Sequence, residues 1–147
     1  MSTVIQRSAL VMYSAMDMYA LVNDVASYPA FMEGCESAEI LEQGDGFMVA
    51  RLDLRKGGVS YSFTTRNTLT PGEEIRLALQ DGPFKHLSGA WTFKPLTDKA
   101  CKVSLHLEFE ISSQLLAVAV NSLFSSVANN LVNAISQRAA VLYGAPQ

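Results

Sequence analysis

The chain has 147 residues, of which 49% are hydrophobic and only 17% charged, with two cysteines. That composition suits one compact domain spanning residues 1–147 with a sizeable core, and it excludes an intrinsically disordered chain or a disulfide-stapled one. The net charge of −3 hides an asymmetry: residues 51–102 carry nine Lys/Arg against five Asp/Glu, whereas the remainder carries two against nine, so a basic middle lies between acidic ends.

The chain opens on a β-rich run from Thr3 to Tyr13 that stops at Ser14. Ser14 reads as a helix N-cap, with Asp17 three residues on in place of the Glu of a capping box. Met16, Tyr19, Ala20 and Val22 or Asn23 then suggest a first short helix, and Asp24 to Phe31 a second one interrupted by Pro29. From Cys35 the period changes to two. Turn signals at Gly44-Asp45-Gly46, Lys56-Gly57-Gly58, Pro71-Gly72, Asp81-Gly82-Pro83 and Thr97-Asp98 leave room for six strands. The clearest places Cys101, Val103, Leu105, Leu107, Phe109 and Ile111 on one face, with Lys102, Ser104, His106, Glu108 and Glu110 on the other. Another sets Val59, Tyr61 and Phe63 against Ser60, Ser62, Thr64 and Arg66. One apolar and one wet face describe an antiparallel sheet covered on one side.

The last segment places Leu116, Val120, Leu123, Phe124, Val127, Leu131, Ile135 and Leu142 on one helical stripe. No charged side chain occurs from Ile111 to Gln137, yet Asn121, Ser122, Ser125, Asn129, Asn133 and Ser136 recur at helical spacing. This is an amphipathic helix of about seven turns rather than a membrane span. With no basic, uninterrupted signal segment at its start, the chain is expected to be cytoplasmic, with Cys35 and Cys101 as reduced thiols. The order strand, two short helices, six strands, long helix is an α+β arrangement, and its simplest solution is a curved antiparallel sheet wrapped around the long helix.

Conventional catalytic chemistry is missing. The only histidines are His86 and His106, no GxSxG elbow or CxxC pair occurs, and Gly44-Asp45-Gly46 is a hairpin turn. No catalytic residue, metal site or required cofactor is expected. What the chain does hold is many large apolar side chains for its size. They either pack an ordinary core or border an apolar pocket where sheet and helix fail to close. The expected lining is Tyr61, Phe63, Leu79, Trp91, Phe93, Leu105, Leu107, Phe124 and Val127, gated by the short helices with Tyr28 and Phe31. Burying an acyl or isoprenoid tail there gains about 0.8 kcal/mol per CH₂. A cyclase or aromatase would need polar groups aimed inward, for which Arg66, Asn67 and the Tyr hydroxyls are the candidates.

Four segments carry a specific likeness: VNDVASYPAFMEGC (22–35), FTTRNTL (63–69), DGPFKHLSGAWTF (81–93) and SQRAAVLYG (136–144). Together they resemble the bacterial ribosome association toxin (RatA) family, relatives of the coenzyme Q-binding proteins within the START-like polyketide cyclase and lipid transport group. The resemblance implies the helix-grip fold, with about seven strands around a long C-terminal helix and two short helices after the first strand. It also implies that Tyr28, Pro29, Phe31 and Cys35 border the pocket opening. Glu33 stands where the family pattern has Pro.

The resemblance further implies two unlike functions, which fold alone does not separate. The leading expectation is a non-enzymatic carrier of ubiquinone or a similar polyprenyl lipid that supports respiration. The alternative is a toxin that binds the large ribosomal subunit, blocks subunit joining and is paired with an antitoxin; polyketide cyclization is a minor third reading. For a ribosome contact the basic middle offers Arg51, Arg55, Lys56, Arg66, Arg76, Lys85 and Lys94. The uncharged polar face of the last helix, with Ser122, Ser125, Asn129, Asn133 and Ser136, suggests a surface that another protein surface covers.

Overall fold

Alternating apolar and polar residues from Cys35 onward become six consecutive antiparallel strands in a computed structural model that describes residues 2–112 and 117–144. The elements in chain order are β1 (Thr3–Val11), α1 (Ala15–Asn23), a 3₁₀ helix (Val25–Ala30), β2 (Cys35–Gly44), β3 (Phe47–Lys56), β4 (Val59–Thr70), β5 (Glu74–Asp81), β6 (Phe84–Thr97), β7 (Ala100–Ile111) and α2 (Ala117–Tyr143). Strand order is β1-β7-β6-β5-β4-β3-β2, so the first strand closes one edge beside the last. The short helices carry the chain from that edge to the other, with α1 packing on β6, β7 and α2 and the 3₁₀ helix on β2. This is the START-like arrangement expected from the sequence. The first strand ends at Val11, two residues before its expected limit.

Local signals account for the element ends. Ser14 Oγ accepts the Asp17 N–H at 3.1 Å and so satisfies one of the free donors of α1. Pro29 sits inside the 3₁₀ helix and keeps it short. The α2 terminus is tied down by aromatic hydroxyls: Tyr13 donates to the Gly144 carbonyl at 2.7 Å, and Tyr143 donates to the Asp17 carbonyl at 3.1 Å.

The core fills the concave side of the sheet. Val103, Leu105 and Phe109 of β7 are wholly enclosed, as are Ile135 and Ala139 of α2. Val120, Leu123, Phe124 and Val127 of the expected stripe are also buried, whereas Leu142 is exposed near the end of the helix; Leu116 lies outside the described residues. Gly89 in β6 marks a close approach, since a Cβ there would stand 2.1 Å from the His106 carbonyl oxygen. Among the described residues no helix is long and apolar enough to cross a membrane.

Candidate functional site

Between the concave face of the sheet and α2 the core leaves a cavity of about 80 Å³. Its floor is built by inward positions of successive strands: Ala50, Leu52 and Leu54 of β3, then Phe63, Thr65 and Asn67 of β4, with Leu77, Leu87, Trp91 and Leu107 behind them. Phe124, Val127, Ala128 and Leu131 of α2 form the roof, and Val25, Tyr28 and Met32 close one side. The Tyr28 hydroxyl donates to the Val22 carbonyl, so this side chain is fixed and its hydroxyl is engaged. Burial raises the Tyr28 pKa well above the usual phenol value, with smaller contributions from Cys35 and Asp24.

Polar groups on the wall are few. The Thr65 hydroxyl donates to Asn67 Oδ1 at 2.8 Å, and both residues are buried. The Asn67 amide nitrogen has no hydrogen-bond partner among the described residues. Arg66, in contrast, is on the outer face, its guanidinium 4.2 Å from the Phe47 ring centroid. Of the polar groups suggested for cyclization, Asn67 is therefore inside and Arg66 outside. Among the described residues no group of three or more His, Cys, Asp or Glu comes together as a metal site.

Of the twelve residues expected to line the pocket, Tyr28, Phe63, Trp91, Leu107, Phe124 and Val127 surround the cavity. The other six lie elsewhere, each for a packing reason. Phe31 borders an outer groove of about 260 Å³ beside α2, with the Arg138 guanidinium 5.2 Å from its ring centroid. Cys35 is buried with its thiol toward the Ser37 carbonyl at 3.6 Å; burial first, then the Asp53 carboxylate, pushes its pKa up to about 11. Such a thiol is a poor nucleophile. Tyr61 packs against Phe63 and Phe84, and its buried hydroxyl has no hydrogen-bond partner among the described residues. Leu79 is half-buried next to the register shift between β4 and β5. Phe93 lies past Trp91, stacked on it at 6.5 Å and edge-on to Tyr19. Leu105 pairs in register with Trp91 and is wholly enclosed in the filled part of the core.

Sequence reasoning passed over Ala50, Leu52, Leu54, Thr65, Leu77 and Leu87. The signal was available in β4, because Thr65 and Asn67 follow Tyr61 and Phe63 at a spacing of two; their polarity disguised an inward position.

The basic residues expected at a ribosome contact do not form one open cationic face. Arg51 pairs with Asp53 at 3.0 Å, Arg55 with Glu36 at 3.4 Å, Lys56 with Glu33 at 3.3 Å, Arg76 with Glu74 at 3.0 Å and Lys85 with Glu110 at 3.1 Å. Glu33, where the family pattern has Pro, thus holds a cation at the β3–β4 hairpin. Among the described residues Lys94 makes no such pair, and it lies directly across from Lys102 in the β6–β7 register. The polar face of α2 borders two grooves. Ser126, Asn130, Asn133 and Gln137 line the first with Phe31, and Asn129, Asn133 and Ser136 line the second with β1.

Comparison with known proteins adds to this geometry. Residues 11–136 match the family described as polyketide cyclase / dehydrase and lipid transport. The chain is 51% identical to the ribosome association toxin RatA of Vibrio cholerae over 95% of its own length and 97% of that protein. It is 28% identical to the mitochondrial coenzyme Q-binding protein COQ10 of Drosophila melanogaster, over 95% of this chain and 60% of that one. A START superfamily protein from Mycobacterium smegmatis superposes with a TM-score of 0.77 at 23% identity, covering 95% of this chain and 98% of the other.

Proposed function

We propose that this chain, which belongs to the polyketide cyclase / dehydrase and lipid transport family, associates with the large ribosomal subunit in the cytoplasm and blocks subunit joining, so that translation initiation is inhibited. The observation that carries this reading is the 51% identity, over nearly the whole of both chains, to a protein named for ribosome association. Likeness to the coenzyme Q-binding protein is much weaker. The cavity argues in the same direction. At about 80 Å³ it falls short of the roughly 150 Å³ that admits a benzene ring, and a quinone head with its tail needs more. A toxin of this kind would be restrained by an antitoxin partner.

The experiment is cell-free translation with added purified chain. Preformed polysomes should run off normally while new 70S particles fail to form and product falls. Undiminished synthesis at a large molar excess over ribosomes contradicts the reading.

A second reading, carriage of a ubiquinone-like lipid, is favored by one observation: a cavity walled mostly by apolar side chains includes Asn67, whose amide nitrogen has no partner among the described residues. Such an amide would suit a ligand carbonyl. The 3₁₀ helix and α2 would have to part for the ligand to enter. Solvent extraction of the purified protein followed by lipid mass spectrometry tests it; a stoichiometric quinone supports it, and a lipid-free protein counts against it.

A further inference from the structure

Not all the positive charge on the sheet is neutralized locally. On the outer face of β3 and β5 and at the hairpin ends, five cations each have a carboxylate within salt-bridge distance. Seen from a distance each pair is close to neutral, and such exposed pairs are screened by salt. At the opposite end of β6 and β7 the pattern reverses. Lys94 and Lys102 are directly opposed in register, and both are exposed. Side chains so opposed have Cβ atoms about 4.5–5.5 Å apart, where like charges oppose strand pairing. Lys99 adds a third exposed ammonium in the β6–β7 turn. Asp98 is in the same turn, and Glu73 lies at the adjoining end of β5, where its carbonyl accepts the Phe93 N–H at 2.8 Å. Neither carboxylate forms a salt bridge to these lysines among the described residues.

The surroundings fit a contact surface. Leu10 of β1 is the register partner of Lys102 on its other side and is 73% exposed, and Leu96 at the end of β6 is 51% exposed. The row Leu10, Lys102, Lys94 therefore crosses three hydrogen-bonded strands on the convex face. A rigid strand scaffold holding uncompensated ammonium groups side by side is suited to phosphate oxygens. Leu10 and Leu96 belong to strands, not to the amphipathic helix whose continuous apolar face enters a bilayer.

We propose that Lys94, Lys99 and Lys102 form the surface through which this chain contacts the phosphate backbone of RNA. The assignment rests on the ribosome reading above and supplies that reading with a contact surface. It moves the contact away from Arg55 and Lys56, whose charges are already matched by Glu36 and Glu33.

The test is pelleting with purified large ribosomal subunits over a range of salt concentrations. It compares the parent with Lys94→Glu/Lys102→Glu, Lys94→Gln/Lys102→Gln and Arg55→Glu/Lys56→Glu. Thermal melts confirm folding; the Gln pair removes the opposed like charges and should not lower the melting temperature. The charge reversal should weaken association at least about 100-fold and the Gln pair about tenfold, while the Arg55/Lys56 variant stays within about threefold of the parent. The log–log salt dependence of the Gln pair should be shallower than that of the parent by about 0.7–0.9 for each phosphate left without its lysine. Folded Lys94/Lys102 variants that pellet like the parent overturn the assignment with the ribosome reading intact. A parent that does not pellet overturns the ribosome reading itself. Loss of binding to anionic phosphatidylglycerol vesicles with unchanged ribosome pelleting would overturn the assignment in favor of a membrane.

Discussion

Asp53 shows how the outer face of the sheet fixes a charge by local hydrogen bonding. Its carboxylate accepts from the Ser37 and Ser62 hydroxyls and from Arg51. The Ser37 bond first, then that from Ser62, with a smaller contribution from Arg51, holds its pKa below the ordinary Asp value against a small opposing effect of burial. A folded-state pKa below the unfolded one means that the stabilization is complete above the ordinary Asp range, near pH 4, and is lost as pH falls through the lower folded value. The urea midpoint of Asp53→Asn should therefore lie below that of the parent at about pH 7, and the gap should close on acidification toward about pH 2. Equal midpoints at neutral pH would contradict this role for the carboxylate. Among single residues the sequence was legible by type more than by place. Alternation put Phe63, Trp91 and Leu107 on the inner face, and they surround the cavity. It could not say that Leu105 and Phe93, on the same inner faces, meet filled core instead, because that depends on where α2 crosses the sheet. Nor could it foresee which basic residues find a carboxylate, since Arg55 and Glu36 meet only through β2–β3 pairing.

Pairing between β6 and β7 is the feature on which both the cavity and the lysine row depend. It is the longest ladder of the sheet, from Phe84↔Ile111 to Thr97↔Ala100. Gly89 allows it, because any Cβ would collide with the His106 carbonyl and approach Leu107 Cδ2 to 2.8 Å. Gly89→Ala must push the two strands apart, and overpacking of this kind costs about 1–3 kcal/mol or more. For a domain of this size the melting temperature should fall by at least about 3 °C; an unchanged melt would show that the strands can shift to absorb a methyl group. The strands and α2 were readable because periods of two and of about 3.6 repeat over many residues, as in Cys101 to Ile111 and Val120 to Ile135. The end of β1 was less so, since Met12 and Tyr13 carry β-favoring chemistry past the last paired residue, Val11.

Taken as a whole, a chain of net charge −3 can approach a polyanion only with its uncompensated cations gathered on one surface. The sequence revealed the basic middle, but the fold divides that charge among five neutralized pairs, Arg66 over the Phe47 ring, and one corner at Lys94, Lys99 and Lys102. The cavity lies on the concave side and the lysines on the convex side, so a ligand-binding activity and a ribosome-binding one would occupy opposite faces of the same sheet. Fold does not choose between them, whereas the identity to a ribosome association toxin over nearly the full chain favors the second. Ribosome association is measured by sedimenting the purified chain with separated ribosomal subunits through a sucrose gradient at about 0.1 M salt, where long-range screening is moderate. The chain should migrate with the large subunit and not the small one, and the 70S peak should shrink as more is added. A chain that stays at the top of the gradient while 70S particles form undiminished would contradict ribosome association as its function.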